Sequence, residues 1–521
     1  MNHNLFATFE QRMTARGQAP FITTRKDITK DITKNITTRE SRNYSYAEAL
    51  SVSSKLAGAL VAMGVAPGDR VAVQVDKSPE AILLYLACLK VGGVYLPLNT
   101  GYTSEEIRYF LSDAEPALFV CRPAALDAAR TVAAECGNVR VETLGTAAEG
   151  SLMAATAKAT AHDTITPRAS DDLAAILYTS GTTGRSKGAM LTHANLGSNA
   201  LSLVEAWRFT EQDRLIHALP IFHTHGLFVA CNVILMAGAS MRFLPKFDVD
   251  VIFEELAEGT TMMGVPTFYT RLLKDPRLTR EACANMRLFT SGSAPLTAET
   301  HQDFEAATGH AILERYGMTE TNMNTSNPYD GERIAGTVGM PLPGVEIRIT
   351  EREGGHHKPL PQGQIGMLEV RGPNVFKGYW RMTEKTREEL LEDGFFITGD
   401  LALVDERGYV QIVGRDKDLV ISGGYNVYPK EVEGHIDEMA GVVESAVIGL
   451  PHPDFGEGVT AVVVAEEGAA LQEDAIIAAL ADKLAKYKQP KRVFFVDSLP
   501  RNTMGKVQKN QLRERFATTY Q

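Results

Sequence analysis

The chain has 521 residues, 44% apolar and 22% charged, an ordinary globular mix that excludes wholesale disorder and fills several domain equivalents. Lys+Arg is 53 against Asp+Glu 64, a net charge of −11, so the whole molecule is not built to lie on nucleic acid or an anionic membrane. Five cysteines (Cys88, Cys121, Cys136, Cys231, Cys283) form no CxxC pair and read as buried hydrophobes. No signal-peptide pattern opens the chain, and the most apolar stretch, Gly226–Ala239, is too short to span a bilayer. A soluble cytoplasmic protein is expected.

In chain order, Asp27-Ile-Thr-Lys, Asp31-Ile-Thr-Lys and Asn35-Ile-Thr-Thr repeat a tetrapeptide. The repeat predicts a surface hairpin or loop with Ile28, Ile32 and Ile36 on one face. From Tyr46 onward helical stretches (Tyr46–Met63, Pro79–Lys90) alternate with short apolar runs (Arg70–Val75, Ala117–Cys121). That alternation predicts βαβ units and parallel sheets, to about Val413. A smaller α+β unit follows from near Gly414: a helix from Pro429, strands Val442–Leu450 and Thr460–Ala465, a helix Glu473–Lys486 and a strand Val493–Val496. Between Leu480 and Gln521 ten Lys/Arg face three acids, a local +7 that reads either as a solvated basic face or as a tail meeting phosphates.

The strongest motif is Tyr178-Thr-Ser-Gly-Thr-Thr-Gly-Arg-Ser-Lys-Gly188, placed after the apolar strand Leu173–Leu177. Gly181 and Gly184 let backbone N–H groups approach phosphate oxygens, while Thr179, Ser180, Thr182 and Thr183 add donors and Lys187 a charge. The spacing is not Walker A, which disfavours a kinase or motor ATPase. Gly184-Arg-Ser-Lys-Gly188 also satisfies GxSxG, but no strand ends at Ser186 to form a nucleophile elbow. His223 and His225 form an HxH pair without a third zinc ligand at suitable spacing.

Further motifs follow: Tyr316-Gly-Met-Thr-Glu320, then Thr398-Gly-Asp400 with Gly408-Tyr409 and Gly414-Arg-Asp-Lys-Asp418, then Pro500-Arg-Asn-Thr-Met-Gly-Lys506. With the phosphate loop they resemble the signatures of the adenylate-forming acyl-CoA synthetases, over the chain from about Tyr46 to its end. Ala218–Gly226, Gly264–Arg271 and Tyr316–Asn327 look most like the malonate-activating members. The resemblance implies an α/β fold of layered sheets and helices over 1–414, with 27–42 as a surface insertion. It also implies a hinge at 415–418, where Lys417 matches the pivot, and a mobile α+β domain over 419–521.

The activity so implied is ATP-dependent ligation of malonate, or methylmalonate, to coenzyme A through an acyl-adenylate, releasing AMP and pyrophosphate. The alternatives are a stand-alone adenylation enzyme loading a separate carrier, or a CoA ligase for another short acid. ATP, Mg²⁺ and coenzyme A are the implied ligands. The resemblance assigns Lys506 to bridge carboxylate and α-phosphate, and Glu320 with Thr179 to Mg²⁺. Ser293 and Ala294 with Tyr316, Gly317, Met318 and Thr319 would surround adenine, while Asp400 and Arg415 would hold ribose or phosphate. His223 would neighbour the adenylate, Arg271, Ser293 and His225 would hold the second carboxylate of malonate, and Gly423-Gly424 would admit the pantetheine arm. A lysine whose charge matters this much is also a candidate for a lysine acetyltransferase acting on Lys506.

Overall fold

The computed structural model describes residues 2–25, 28–29, 37–38, 42–179, 186–351, 357–481, 483–502 and 506–520. Its helices begin where the sequence supplies caps. Ser45 and Glu48 form a capping box at the start of Tyr46–Ala62, and Ser78 caps Pro79–Lys90 with proline in the first turn. Pro79–Lys90 is apolar all round and is buried along its entire length. Its two charged ends are buried with partners: Glu80 takes Arg42 and Tyr44, and Lys90 takes Glu10 and Ser54.

Two sheets carry the larger part of the chain. Nine described strands form one, ordered Met340–Pro341, Asn322–Ser326, Leu313–Met318, Leu288–Ser291, Thr261–Gly264, Arg214–His217, Ser240–Phe243, Pro20–Thr23 and Asn43–Ser45. Its centre is parallel and its outermost pairings are antiparallel. Six form the other, ordered Lys187–Thr192, Leu173–Thr179, Val94–Pro97, Arg70–Gln74, Leu118–Cys121 and Arg140–Thr143, antiparallel only at its first pair. Parallel strands covered on both faces explain the near-continuous Val/Leu/Ile runs.

A third, antiparallel sheet runs Glu346–Thr350, Gly366–Arg371, Phe396–Val404 and Val410–Arg415. Beyond it Tyr425–Val427, Val420–Ser422, Gly456–Ala465 and Val442–His452 pair in that order, with Arg492–Phe495 parallel to Gly456–Ala465. The helix expected over Glu473–Lys486 ends at Leu480, where the Lys483 and Leu484 N–H groups both reach the Leu480 carbonyl and turn Leu484 into the core. Among the described residues five members of the basic tail are ion-paired at home: Lys488 with Glu431, Arg492 with Glu473, Arg501 with Glu444, Lys509 with Glu433 and Arg513 with Asp418. Ile28–Thr29 pairs antiparallel with Thr37–Thr38, while Ile32, Ile36 and the rest of the repeat lie outside the described residues. Among the described residues no helix is long and apolar enough to cross a membrane.

Candidate active site

Thr179 and Lys187 face each other as the last register pair of an antiparallel hairpin. Ser180, Gly181, Thr182, Thr183 and Gly184, between them, lie outside the described residues. The Lys187 ammonium donates to the Tyr379 hydroxyl at 3.1 Å and to both oxygens of Glu389 at 3.3 Å. Tyr379 in turn lies 2.6 Å from Glu389 Oε2 and 3.1 Å from Glu320 Oε1. Burial pushes the Glu320 carboxyl up, against the pull of Lys187 and Tyr379.

The strand Leu313–Met318 delivers Arg315, Tyr316, Gly317 and Met318, and the turn after it carries Thr319 and Glu320. Gly317 has no room for a side chain: a Cβ would sit 1.9 Å from the Asn322 carbonyl oxygen of the neighbouring strand. Asp400, buried, is a cross-strand register partner of Arg415. Arg415 Nε donates to Asp400 Oδ1 at 2.7 Å, and the Tyr316 hydroxyl donates to Oδ2.

A second group gathers around Ser293. Ser293 holds a left-handed backbone at φ +71, a strained choice for a residue with a side chain, and its hydroxyl lies 3.2 Å from His225 Nδ1. His225 opens a π-helical turn, His225–Cys231, of the wide kind that recurs at functional sites. The turn is anchored from beneath: Lys77 donates to His217 Nδ1 at 2.8 Å, which leaves His217 Nε2–H to donate to the Gly226 carbonyl at 2.7 Å. Burial drives both His223, to about 3, and His225 well below the ordinary imidazole value, with Lys506 and Arg315 adding repulsion at His223 and Arg315 at His225. Both rings are therefore neutral. His223 Nδ1 accepts the His225 N–H, so its proton sits on Nε2.

Arg315 is the residue that sequence reasoning missed here. It is 2% exposed, and its Nε and Nη2 find no partner among the described residues. The guanidinium lies against Gly292, where a Cβ would come within 2.4 Å of it. Burial lowers it to about 10. The available signal was Glu314-Arg315, two adjacent charges following the apolar Leu313 at the start of a strand. Arg271, the sequence choice for this role, is exposed at the last turn of Pro266–Leu273 with its guanidinium over the Phe247 ring. No described contact joins Arg271 to Ser293 or His225, and no described carboxylate pairs with it. Ala294 follows Ser293 and is half-buried.

Lys506 keeps access to water yet is crowded by protein: burial lowers its ammonium, with Arg415 and Lys417 repelling it and Asp400 and Glu320 attracting it. The C-terminal segment thus brings Lys506 to the residues from Glu320 and Asp400, and to His223. Gly423 and Gly424, both at positive φ, form an exposed two-residue turn between Ser422 and Tyr425. No described contact links that turn to Lys506. Among the described residues no cluster of three or more His, Cys, Asp or Glu forms a metal cage. Tyr379 and Glu389 also went unremarked in the sequence, since nothing local ties either to Lys187.

Residues 23–380 match the model of the AMP-binding enzymes, and residues 431–506 match that of the AMP-binding enzyme C-terminal domain. The malonate–CoA ligase of Arabidopsis thaliana is 36% identical over 484 residues, 87% of this chain and 78% of that protein. A crystal structure of ATP-bound MatB from Rhodopseudomonas palustris is 59% identical, covers 100% of both chains and superposes with TM-score 0.94. The apo MatB structure from the same organism, also 59% identical over 100% of both chains, gives 0.84, so the arrangement here is nearer the ATP-bound one. The chain belongs to the AMP-binding enzymes, the adenylate-forming acyl-CoA synthetase superfamily.

Proposed function

We infer that the protein joins malonate to coenzyme A at the expense of ATP, by way of malonyl-AMP, giving malonyl-CoA, AMP and pyrophosphate. One observation carries the choice of acid: the buried Arg315 guanidinium, with two nitrogens unsatisfied among the described residues, beside the Ser293–His225 pair. A buried arginine without a carboxylate is costly, and an acid with a second carboxylate supplies the missing partner in bidentate form. Ser293, His225 and Arg315 then hold the distal carboxylate, with Arg271 as a further candidate at the rim.

A carboxylate is a poor acyl donor, so its oxygen attacks the α-phosphorus of ATP and expels pyrophosphate. The thiol of coenzyme A next attacks the acyl carbon, AMP leaves, and the thiol proton goes to solvent or a base. In the first step Lys506 neutralises charge between carboxylate and α-phosphate. Asp400 has about four acceptor sites, of which Tyr316 and Arg415 use two, leaving room for ribose hydroxyls. Ala294, Gly317, Met318 and Thr319 line the adenine side with Tyr316, and His223 offers Nε2–H to the adenylate. Lys187 and the Thr179–Gly184 loop take the outer phosphates.

The buried Glu320 carboxylate, a hard oxygen donor with the Tyr379 hydroxyl beside it, fits Mg²⁺, with Thr179 as the second protein oxygen. Bound there, Mg²⁺ neutralises phosphate charge. The exposed Gly423-Gly424 turn reaches the thiol only if the C-terminal part pivots near 415–418, so two arrangements alternate. Acetylation of Lys506 by a lysine acetyltransferase would erase its charge and stop the first step. The test is pyrophosphate release with a panel of acids, with and without coenzyme A. Malonate should be preferred over acetate and propionate, and turnover should need coenzyme A. Propionate used as well as malonate overturns the choice of acid, and sustained turnover with a carrier protein but not with coenzyme A overturns the choice of thiol.

A further inference from the structure

Lys187 has three N–H donors, and the described structure claims all of them: Tyr379 Oη at 3.1 Å, and Glu389 Oε1 and Oε2 at 3.3 Å each. The pair is half-buried, with 13% and 21% of the two side chains exposed, so solvent screens it only in part. A phosphate oxygen arriving at this lysine is a fourth acceptor and must take a donor from one already engaged.

The distances say which contact yields. Glu389 binds Tyr379 at 2.6 Å and Lys385 at 3.0 Å, both shorter than its forked contact to Lys187. A carboxylate that loses Lys187 therefore keeps a hydroxyl donor and a cation. Burial pushes the Glu389 carboxyl up, but Tyr379 and the two lysines outweigh it and the net direction is down, so the group stays ionised near neutrality. Glu389 also lies at the end of Thr383–Glu389, a helix outside the phosphate-loop hairpin, and the Tyr379 hydroxyl sits between it and Glu320.

We propose that Glu389 is an internal competitor of the ATP phosphates for Lys187, a positioning residue that weakens nucleotide binding by occupying the lysine until phosphate replaces it. The proposal rests on the reading that Lys187 meets the outer phosphates. Exchange of one anion for another keeps the lysine neutralised throughout, and returning Glu389 to Lys187 helps expel pyrophosphate after the first step. Tyr379, whose one hydroxyl proton goes to the nearer Glu389 oxygen at 2.6 Å with Glu320 Oε1 at 3.1 Å beside it, stays in place through the exchange.

The experiment is calorimetric titration of the full chain with ATP plus Mg²⁺, with pyrophosphate plus Mg²⁺, and with adenosine as a probe lacking phosphate. Glu389→Gln is nearly isosteric and should tighten ATP and pyrophosphate roughly three- to tenfold, the scale of one partly screened ion pair, while leaving adenosine unchanged. Glu389→Asp keeps the charge and shortens the reach, and should tighten both by a smaller factor. Lys187→Met should weaken ATP, and in that background Glu389→Gln should have no further effect. Unchanged or weaker ATP binding by Glu389→Gln, while Lys187→Met still weakens it, overturns the proposal and leaves the reading of Lys187 standing. An equal gain from Glu389→Gln in the Lys187→Met background also overturns it, since charge repulsion without exchange then suffices. If Lys187→Met leaves ATP binding unchanged, the reading of Lys187 falls and the proposal falls with it.

Discussion

The Tyr316 hydroxyl and the Asp400 carboxylate are hydrogen-bonded at 2.5 Å, joining the nine-stranded sheet to the four-stranded one. Burial and the Asp400 charge push the Tyr316 hydroxyl well above its ordinary range, so it remains a donor at any pH of interest. Tyr316→Phe removes one of the two side-chain partners of a buried carboxylate. A hydrogen bond to a charged group is worth about 1.5–3 kcal/mol. The KM for ATP is therefore expected to rise roughly 10- to 100-fold with the KM for malonate unchanged. Steady-state kinetics with each substrate varied in turn checks it, and an unchanged KM for ATP would detach this pair from the nucleotide.

The acid pocket is tested by two arginines. Arg315→Met leaves the distal carboxylate of malonate buried without its partner, a loss of about 2–5 kcal/mol, or roughly 30- to several-thousand-fold in kcat/KM. Propionate, which has no second carboxylate, should lose little and can gain, because the unsatisfied guanidinium is gone. Arg271→Ala should lose less than Arg315→Met, since water already screens an exposed guanidinium. Competition between malonate and propionate measures both variants, and the reverse order of losses would return Arg271 to the centre of the pocket.

Lys506→Ala should slow adenylation by about 3 kcal/mol, the scale of one lost donor to developing charge. Thioester formation from preformed malonyl-AMP should change far less if, as proposed, a second arrangement presents the Gly423-Gly424 turn instead. Pyrophosphate release and single-turnover thioester formation, measured separately, decide the matter. Equal losses in both would rule out alternation.

Stability should depend on pH through His193, buried at the start of His193–Ala206 with Nδ1 accepting the Leu5 N–H. Burial, with Arg168 adding repulsion, holds it at about 4 against an ordinary 6.5. Between those values the unfolded chain binds the extra proton, so the stability contributed by the neutral ring is complete above 6.5 and lost as pH falls towards 4. At pH 5 the loss is about 2 kcal/mol. Glu314 and Asp437, both raised by burial to about 7, act in the opposite sense. The readout is therefore the difference between His193→Asn and the native chain in denaturant unfolding at pH 7 and pH 5. Asn accepts the same N–H without titrating, so the acid-dependent part of the gap should shrink by about 2 kcal/mol.

How legible this was in the sequence depended on range. Capping and apolar runs are local, so Tyr46–Ala62, Pro79–Lys90 and Leu118–Cys121 emerge close to where the residues predict them. The Tyr316–Glu320 and Thr398–Asp400 motifs are also local, but their meeting is not: Tyr316 and Asp400 are 84 residues apart. Arg315 escaped because a charge on a strand reads as solvent-facing until the sheet on either side is known to be covered. Arg271 stands out in the sequence for the converse reason, a charge among apolar neighbours, of which Tyr269 and Leu272 are buried while Arg271 itself is exposed. The Lys187–Glu389 pair spans 202 residues and has no pattern that either partner could announce.

The register of one hairpin has a consequence for length. Asp400 and Arg415 face each other because Phe396–Val404 and Val410–Arg415 are closed by a turn in which the Asp405 N–H reaches the Tyr409 carbonyl, and because the pairing shifts register once, between Leu401 and Ala402. Side chains alternate faces along a strand, so sliding one arm by a single residue would turn Arg415 to the opposite side and leave Asp400 with Tyr316 alone. The connection from Asp405 to Tyr409 therefore acts as a spacer of set length. Substitution of its exposed residues, Glu406 and Arg407, should be tolerated, whereas inserting or deleting one residue should disarm a site that neither of them touches.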